Sequence, residues 1–318
     1  MKDELLRIEN LSAAYGSGPV LAGLSFSIGR GEIFCLAGES GCGKSTLLKA
    51  LMGIEPALTL TGGRIELDGA DLTALPPKAA AALRRDKLGM IFQDPGASFD
   101  PLRTYRAQFR DALRGRGLYR KERFEAEAGG VFARLGLEDA PRLLASRPFE
   151  LSGGMKQRMA IALALLSGCS LLLADEPTAA LDAAIRLQAA QELKALRETG
   201  LSLLVVTHDL GLAHYLADRV GVVYAGRLVE LGEAEAVFTR PLHPYTKSLL
   251  AALPSLGGEL PKGLEGRPPA GPAPLGCELA PRCLQATPAC AERCYALQEI
   301  EPGHYSACCG TMSVKCEV

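Results

Sequence analysis

Gly38-Glu39-Ser40-Gly41-Cys42-Gly43-Lys44-Ser45-Thr46 follows the pattern G-x-x-x-x-G-K-S/T. The apolar run Ile33-Phe34-Cys35-Leu36-Ala37 precedes it and Leu47-Leu48-Lys49-Ala50-Leu51-Met52 follows it. That arrangement predicts strand, glycine-rich loop, helix. The glycines let successive backbone N–H groups turn toward one point at the start of a helix, where the dipole favours anions. Residues Gly38, Ser40, Gly41, Cys42, Gly43 and Thr46 then cradle phosphates. Lys44 reaches the β- and γ-phosphates, and the Ser45 hydroxyl ligates Mg²⁺. A glycine-rich turn matching by chance would not come with both flanking elements. The pattern predicts binding of a nucleoside triphosphate.

Working outward, 318 residues allow one large domain or two ordinary ones, and 48% hydrophobic residues suffice for a buried core. A net charge of −1 offers no surface for nucleic acid. Met1-Lys2-Asp3-Glu4 has charge but no apolar stretch behind it, unlike a signal peptide. The longest apolar run, Met159 to Ala174, is interrupted by Ser167-Gly168-Cys169-Ser170 and ends in acids. It reads as a buried helix followed by a buried strand, not a membrane span. These features predict a cytosolic chain.

Along the chain, Leu5–Leu11 and Leu24–Ile28 read as strands joined by a loop carrying Tyr15, and Gly63–Gly69 as a strand ending in an Asp-Gly turn. Pro77–Arg85 has helical composition, and Lys87–Phe92 is apolar enough for a central strand. From Asp94 to about Leu166 the pattern is helical, predicting an inserted helical subdomain. Then strands (Leu171–Ala174, Ser202–Val206) alternate with helices (Ala183–Glu198, Leu210–Ala217), which implies a mostly parallel sheet covered on both faces. The predicted fold is α/β: a P-loop core with an antiparallel β portion and a helical subdomain over residues 1–240.

Leu171-Leu172-Leu173-Ala174-Asp175-Glu176-Pro177 is a strand delivering two carboxylates. Downstream of a P-loop, Asp175 holds Mg²⁺ and Glu176 takes a proton from attacking water; the bland reading is a strand ending in solvated acids. Leu151-Ser152-Gly153-Gly154-Met155-Lys156-Gln157-Arg158 is a well-formed helix start and a second anion site. Here the sequence resembles the ABC transporter ATPases, whose signature loop reads LSGGQ. The resemblance implies that Ser152, Gly153 and Gly154 contact the γ-phosphate held by a partner subunit. It implies further roles in the same order. Tyr15 stacks on adenine, Gln93 senses Mg²⁺ and the attacking water, Asp182 links the two active sites, and His208 contacts the γ-phosphate.

Arg240-Pro241-Leu242-His243-Pro244-Tyr245-Thr246-Lys247-Ser248-Leu249-Leu250 resembles the extension of the dipeptide/oligopeptide (and nickel or opine) importer ATP-binding subunits. From the residues alone it predicts only a proline-rich lead into a short helix. Met155, where most relatives have glutamine, resembles one of the two ATPase subunits of those importers and implies a heterodimer. The other implied partners are two membrane-spanning permease subunits and an extracytoplasmic substrate-binding protein, which places the chain at the cytoplasmic face of the membrane. A soluble ABC-type ATPase acting on ribosomes or DNA is the rival. It is disfavoured by the single P-loop and by the lack of a long coiled coil.

Six prolines and six glycines fall between Leu253 and Gly276, which marks 241–276 as a helix and linker. Of ten cysteines, seven crowd into the last 42 residues, 277–318. Without a secretion signal, such crowding argues for metal ligation over disulfides. Cys277, Cys283 and Cys290, spaced C-x5-C-x6-C, and Cys308 resemble the four cysteines that hold a 4Fe-4S cluster in that family. Cys294 and Cys309 are alternatives for the fourth. Four thiolates suit either an iron–sulfur cluster or Zn²⁺. A tail this small is expected to need such a staple and to lie distant from the P-loop.

Overall fold

The computed structural model describes residues 3–179, 183–253, 264–269, 271–272, 275–292 and 296–311. Its strands are Glu4–Tyr15 (β1), Gly18–Gly29 (β2), Ile33–Ala37 (β3), Thr59–Leu67 (β4), Ala70–Asp71 (β5), Leu88–Ile91 (β6), Leu171–Asp175 (β7), Ser202–Thr207 (β8), Arg219–Tyr224 (β9), Arg227–Glu233 (β10), Gln298–Glu301 (β11) and His304–Ser306 (β12). Two compact units interleave along the chain. One comprises Met1–Leu5, Ile28–Ile33 and Asp68–Val206; the other comprises Leu6–Ser27, Phe34–Leu67 and Thr207–Val318.

In the first unit β8, β7 and β6 lie side by side in that order and run parallel, with Leu173 opposite both Leu204 and Met90. Every residue of β7 and β8 is buried, as befits parallel strands covered on both faces. β6 stands at the end of this run, not in its centre. It is apolar because the helices Pro77–Lys87 and Gly153–Leu166 pack on it. The stretch from Asp94 onward is helical as predicted: Tyr105–Gly115, Lys121–Arg134, Ala140–Ala145 and Gly153–Leu166. Phe99, Tyr105, Phe109 and Phe132 form its aromatic centre, with ring centroids 4.8 to 6.3 Å apart.

The second unit has two layers of strands. β2, β1 and β4 are neighbours, with β1 antiparallel to β4 and Ile8 opposite Ile65. The other run is β11-β12-β10-β9-β3. Only its β3/β9 pair is parallel; β9/β10, β10/β12 and β11/β12 are antiparallel. β3 is buried throughout and leads directly into the P-loop.

The last strands are not set apart from this unit. β12 pairs with β10, placing Ser306 opposite Glu230 and Tyr305 opposite Leu231. His304 Nε2 lies 2.8 Å from Glu230 Oε1, both side chains being essentially buried. Glu230 also accepts the backbone N–H groups of Leu242 and His243 at 2.7 and 2.9 Å. One buried carboxylate therefore ties the tail and the Pro-Leu-His-Pro turn to the same strand. No helix among the described residues is long and apolar enough to cross a membrane.

Candidate functional site

The P-loop is built as its glycines require. Gly38, Gly41 and Gly43 have φ of 156°, 83° and 101°, a region that side chains with a Cβ rarely adopt. Space adds a second reason at two of them: a Cβ on Gly38 would sit 2.2 Å from the Val223 carbonyl oxygen, and one on Gly43 2.7 Å from Leu21 Cδ2. Helix Lys44–Met52 begins at once, capped by Gly43. The buried Lys44 ammonium donates to the carbonyl oxygens of Gly38 and Glu39 at 2.8 and 2.9 Å. Burial pushes the neighbouring Cys42 thiol up, against the pull of the Lys44 charge, so it stays protonated. Ser45 and Thr46 are half-buried and Ser40 and Gly41 exposed, at the mouth of the loop.

The β9–β10 turn props this loop from below. Ala225 and Gly226 both have positive φ, the two-residue turn that suits a hairpin. Gly226 donates its N–H to Cys42 O and accepts from Ala22 N–H, each at 2.9 Å. The half-buried Tyr15 ends β1 in the same unit, just before the turn that leads into Val20 and Leu21. His208 is exposed. Beside it Asp209 caps the helix Leu210–Leu216 by accepting Leu212 N–H at 3.0 Å.

The first unit carries the acids. Asp175 is buried at the end of β7, and Glu176 follows with φ of 48°, donating its N–H to Val206 O at 2.9 Å. A non-glycine residue in this left-handed region is uncommon, and such strain clusters at functional sites. Ile91 lies opposite Ala174, so Gln93 and the two acids leave neighbouring strands at the same end. Gln93 is exposed, and Asp94 caps the short turn after it by accepting Gly96 N–H at 2.8 Å. Ser152 caps helix Gly153–Leu166 through Met155 N–H at 3.3 Å, leaving Ser152 and Gly153 exposed. That helix packs on the turn after Gln93, with Lys156 against Gly96. Asp182 lies outside the described residues.

Two family models match the chain: ABC transporter over residues 21–179, and oligopeptide/dipeptide transporter, C-terminal region, over 229–290. A dipeptide transport ATP-binding protein, DppD of Bacillus subtilis (strain 168), is 36% identical, aligned over 99% of this chain and 97% of its own length. A putative oligopeptide transport ATP-binding protein of the same organism, YkfD, is 38% identical over 96% and 94%. The chain belongs to the ABC transporter ATP-binding subunits. Solved members of this fold agree. CbiO1 of Clostridium perfringens superimposes with a TM-score of 0.66 at 29% identity over 75% of this chain and 92% of its own. A dimeric ATP-binding cassette in a post-hydrolysis state with ADP and Pi gives 0.63 at 30% over 72% and 99%.

As an ABC ATPase the chain binds ATP with Mg²⁺, and the residues fit that pair. In one unit Lys44 lies against the loop carbonyls and the Ser45 hydroxyl follows it; in the other a buried carboxylate, Asp175, ends β7. In the tail, Cys277, Cys283, Cys290, Cys308 and Cys309 line one small cavity with His243, whereas Cys294 lies outside the described residues. Cys290 Sγ is 3.6 Å from Cys309 Sγ, and Gln285 donates its N–H to Cys283 Sγ at 3.4 Å. Burial pushes the Cys277 thiol up to about 11 and the Cys308 thiol up. Burial also raises Cys290, but hydrogen bonds from Thr287 and Cys309 outweigh it and hold that thiol below its ordinary value. Among the described residues no three His, Cys, Asp or Glu side chains are grouped as a metal ion requires.

The tail is not distant from the P-loop. Arg282 forks onto the Glu39 carboxylate at 2.9 and 3.1 Å, and the Tyr245 hydroxyl accepts the Glu39 N–H at 2.9 Å. Arg282 and Tyr245 were legible only as neighbours of a cysteine and a helix start. Neither residue type at those positions signals a phosphate-binding role.

Proposed function

We propose that this chain is the ATP-hydrolysing subunit of an ABC importer of peptides, acting at the cytoplasmic face of a membrane with permease subunits and a separate substrate-binding protein. The observation that carries it is the P-loop with Lys44 held ready at its mouth, in a chain whose relatives are named as dipeptide and oligopeptide transport ATP-binding proteins. Lys44 exchanges its loop carbonyls for the β- and γ-phosphates. Ser45, Asp175 and Gln93 would hold Mg²⁺, which would polarise the phosphates, and Glu176 would take the proton of attacking water. Tyr15 carries the adenine and His208 the γ-phosphate. A second ATPase subunit supplies its own signature loop, while Ser152, Gly153 and Gly154 serve the partner's nucleotide and Asp182 links the two sites. Met155 favours a heterodimer. ATP favours the closed pair of subunits, and hydrolysis releases it, which is how binding energy reaches the permeases. Purification from membranes should bring permease proteins with the chain. Recovery with ribosomes or DNA in their place would defeat the importer reading.

The cysteine cavity supports a 4Fe-4S cluster on Cys277, Cys283, Cys290 and Cys308, with Cys309 the alternative fourth ligand. Five cysteines on one small cavity can supply four sulfur ligands, the set that a 4Fe-4S cluster or a four-cysteine Zn²⁺ site takes. Anaerobically purified protein should be brown and contain iron and acid-labile sulfide. Stoichiometric zinc in colourless protein would overturn the iron, and absence of any metal would overturn both.

A further inference from the structure

Glu39 places a carboxylate at the second position of the phosphate-binding loop. Its carboxylate is negative, follows Gly38 directly, and repels an incoming polyphosphate by simple Coulomb interaction. Three contacts restrain it. Its carbonyl oxygen accepts Lys44 Nζ at 2.9 Å, its N–H is held by the Tyr245 hydroxyl at 2.9 Å, and its carboxylate is gripped by both terminal nitrogens of Arg282. The Arg282 side chain is only 6% exposed. Its remaining donors are spent on Tyr224 Oη at 3.2 Å, Glu265 O at 3.0 Å and Leu264 O at 3.3 Å, and its guanidinium lies 5.8 Å from the Tyr224 ring centre. Tyr224 and Tyr245 are fully buried, their rings tilted at 56° with centroids 4.6 Å apart, so the arginine sits against a packed aromatic pair. A buried, planar fork of this kind has little freedom to do anything but hold the carboxylate.

We propose that Arg282 is a positioning residue for ATP binding. It neutralises the P-loop's own carboxylate and turns it aside, so that the phosphates meet backbone N–H groups and Lys44 instead of a bare negative charge. Arg282 closes the turn Ala280–Arg282, between Cys277 and Cys283. Order in this segment and order in the P-loop are therefore joined through one ion pair, and by linkage each strengthens the other. The inference rests on ATP binding at the P-loop and on nothing about the occupant of the cysteine cavity.

The test is a set of full-length variants titrated with MgATP. Arg282→Gln should weaken binding by about tenfold, as loss of one charge-assisted pair predicts. Arg282→Lys keeps the charge without the fork and should fall between that variant and the parent. The deciding protein is the double variant Glu39→Gln/Arg282→Gln, in which the repelling charge is gone with its mask; it should recover most of the lost affinity. A purely structural role for Arg282, tying down Leu264 and Glu265, would not be rescued by a change at Glu39. Hydrogen exchange gives a second readout. MgATP should slow exchange of the amides in residues 277–290 of the parent chain but not of Arg282→Gln. Unchanged affinity in Arg282→Gln, or no recovery in the double variant, overturns the proposal. A parent chain that does not bind MgATP at all would instead sink the ATPase reading itself.

Discussion

Lys44 and Glu176 show how much of a site is set within a few residues. Lys44 is satisfied by two carbonyl oxygens of its own loop, so its charge is buried without being stranded. Phosphate oxygens offer it the same geometry with full negative charge, and charge-assisted bonds of that kind are roughly twice as strong as neutral ones. Glu176 is held at φ of 48° by the bond from its N–H to Val206 O. Adjacent in sequence, Asp175 ends β7 and Glu176 turns out of it. Glu176→Gln keeps the shape and removes the base. Hydrolysis should fall by about 10²–10⁴-fold while MgATP binding survives. Turnover close to that of the parent chain would remove Glu176 from the mechanism.

At the scale of elements, the working parts are strand ends, helix starts and the pieces that brace them. β6 and β7 end together and present Gln93, Asp175 and Glu176, while helix Gly153–Leu166 begins with Ser152 as its cap. The C-terminal region is held by β12 on β10 and by the buried Glu230, which gathers Leu242, His243 and His304. His304→Leu leaves that buried carboxylate short of a partner. The cost should be about 1–3 kcal/mol. It should appear as a lower melting temperature and faster proteolysis after residue 290. A melting curve unchanged from the parent would mean that strand pairing alone holds the tail.

For the whole molecule, the residues of the proposed ATP site are divided between two units. The P-loop, Tyr15 and His208 belong to one, and Gln93, Asp175, Glu176 and the signature loop to the other. With Met155 in the signature loop, the purified chain alone should hydrolyse ATP slowly, and addition of its partner ATPase should raise the rate well above the sum of the two. Full turnover by the isolated chain as a homodimer would contradict the heterodimer.

The sequence by itself determined the P-loop, the acid pair, the capped signature helix and the alternating strands and helices. Each depends on backbone angles, caps or apolar spacing within a dozen or so residues. Asp-Gly at 68–69, for example, both take positive φ as that dipeptide predicts. What sequence reading missed involves partners far apart in the chain. Arg282 meets Glu39 across 243 residues, Tyr245 meets Glu39 across 206, and His304 meets Glu230 across 74. No local pattern encodes such contacts, because they follow from the register of β12 on β10 and of β9 beside β3. Composition made the tail look detached from the rest of the chain. Tertiary structure joins it to the P-loop's own unit, through two added strands and the Arg282–Glu39 ion pair.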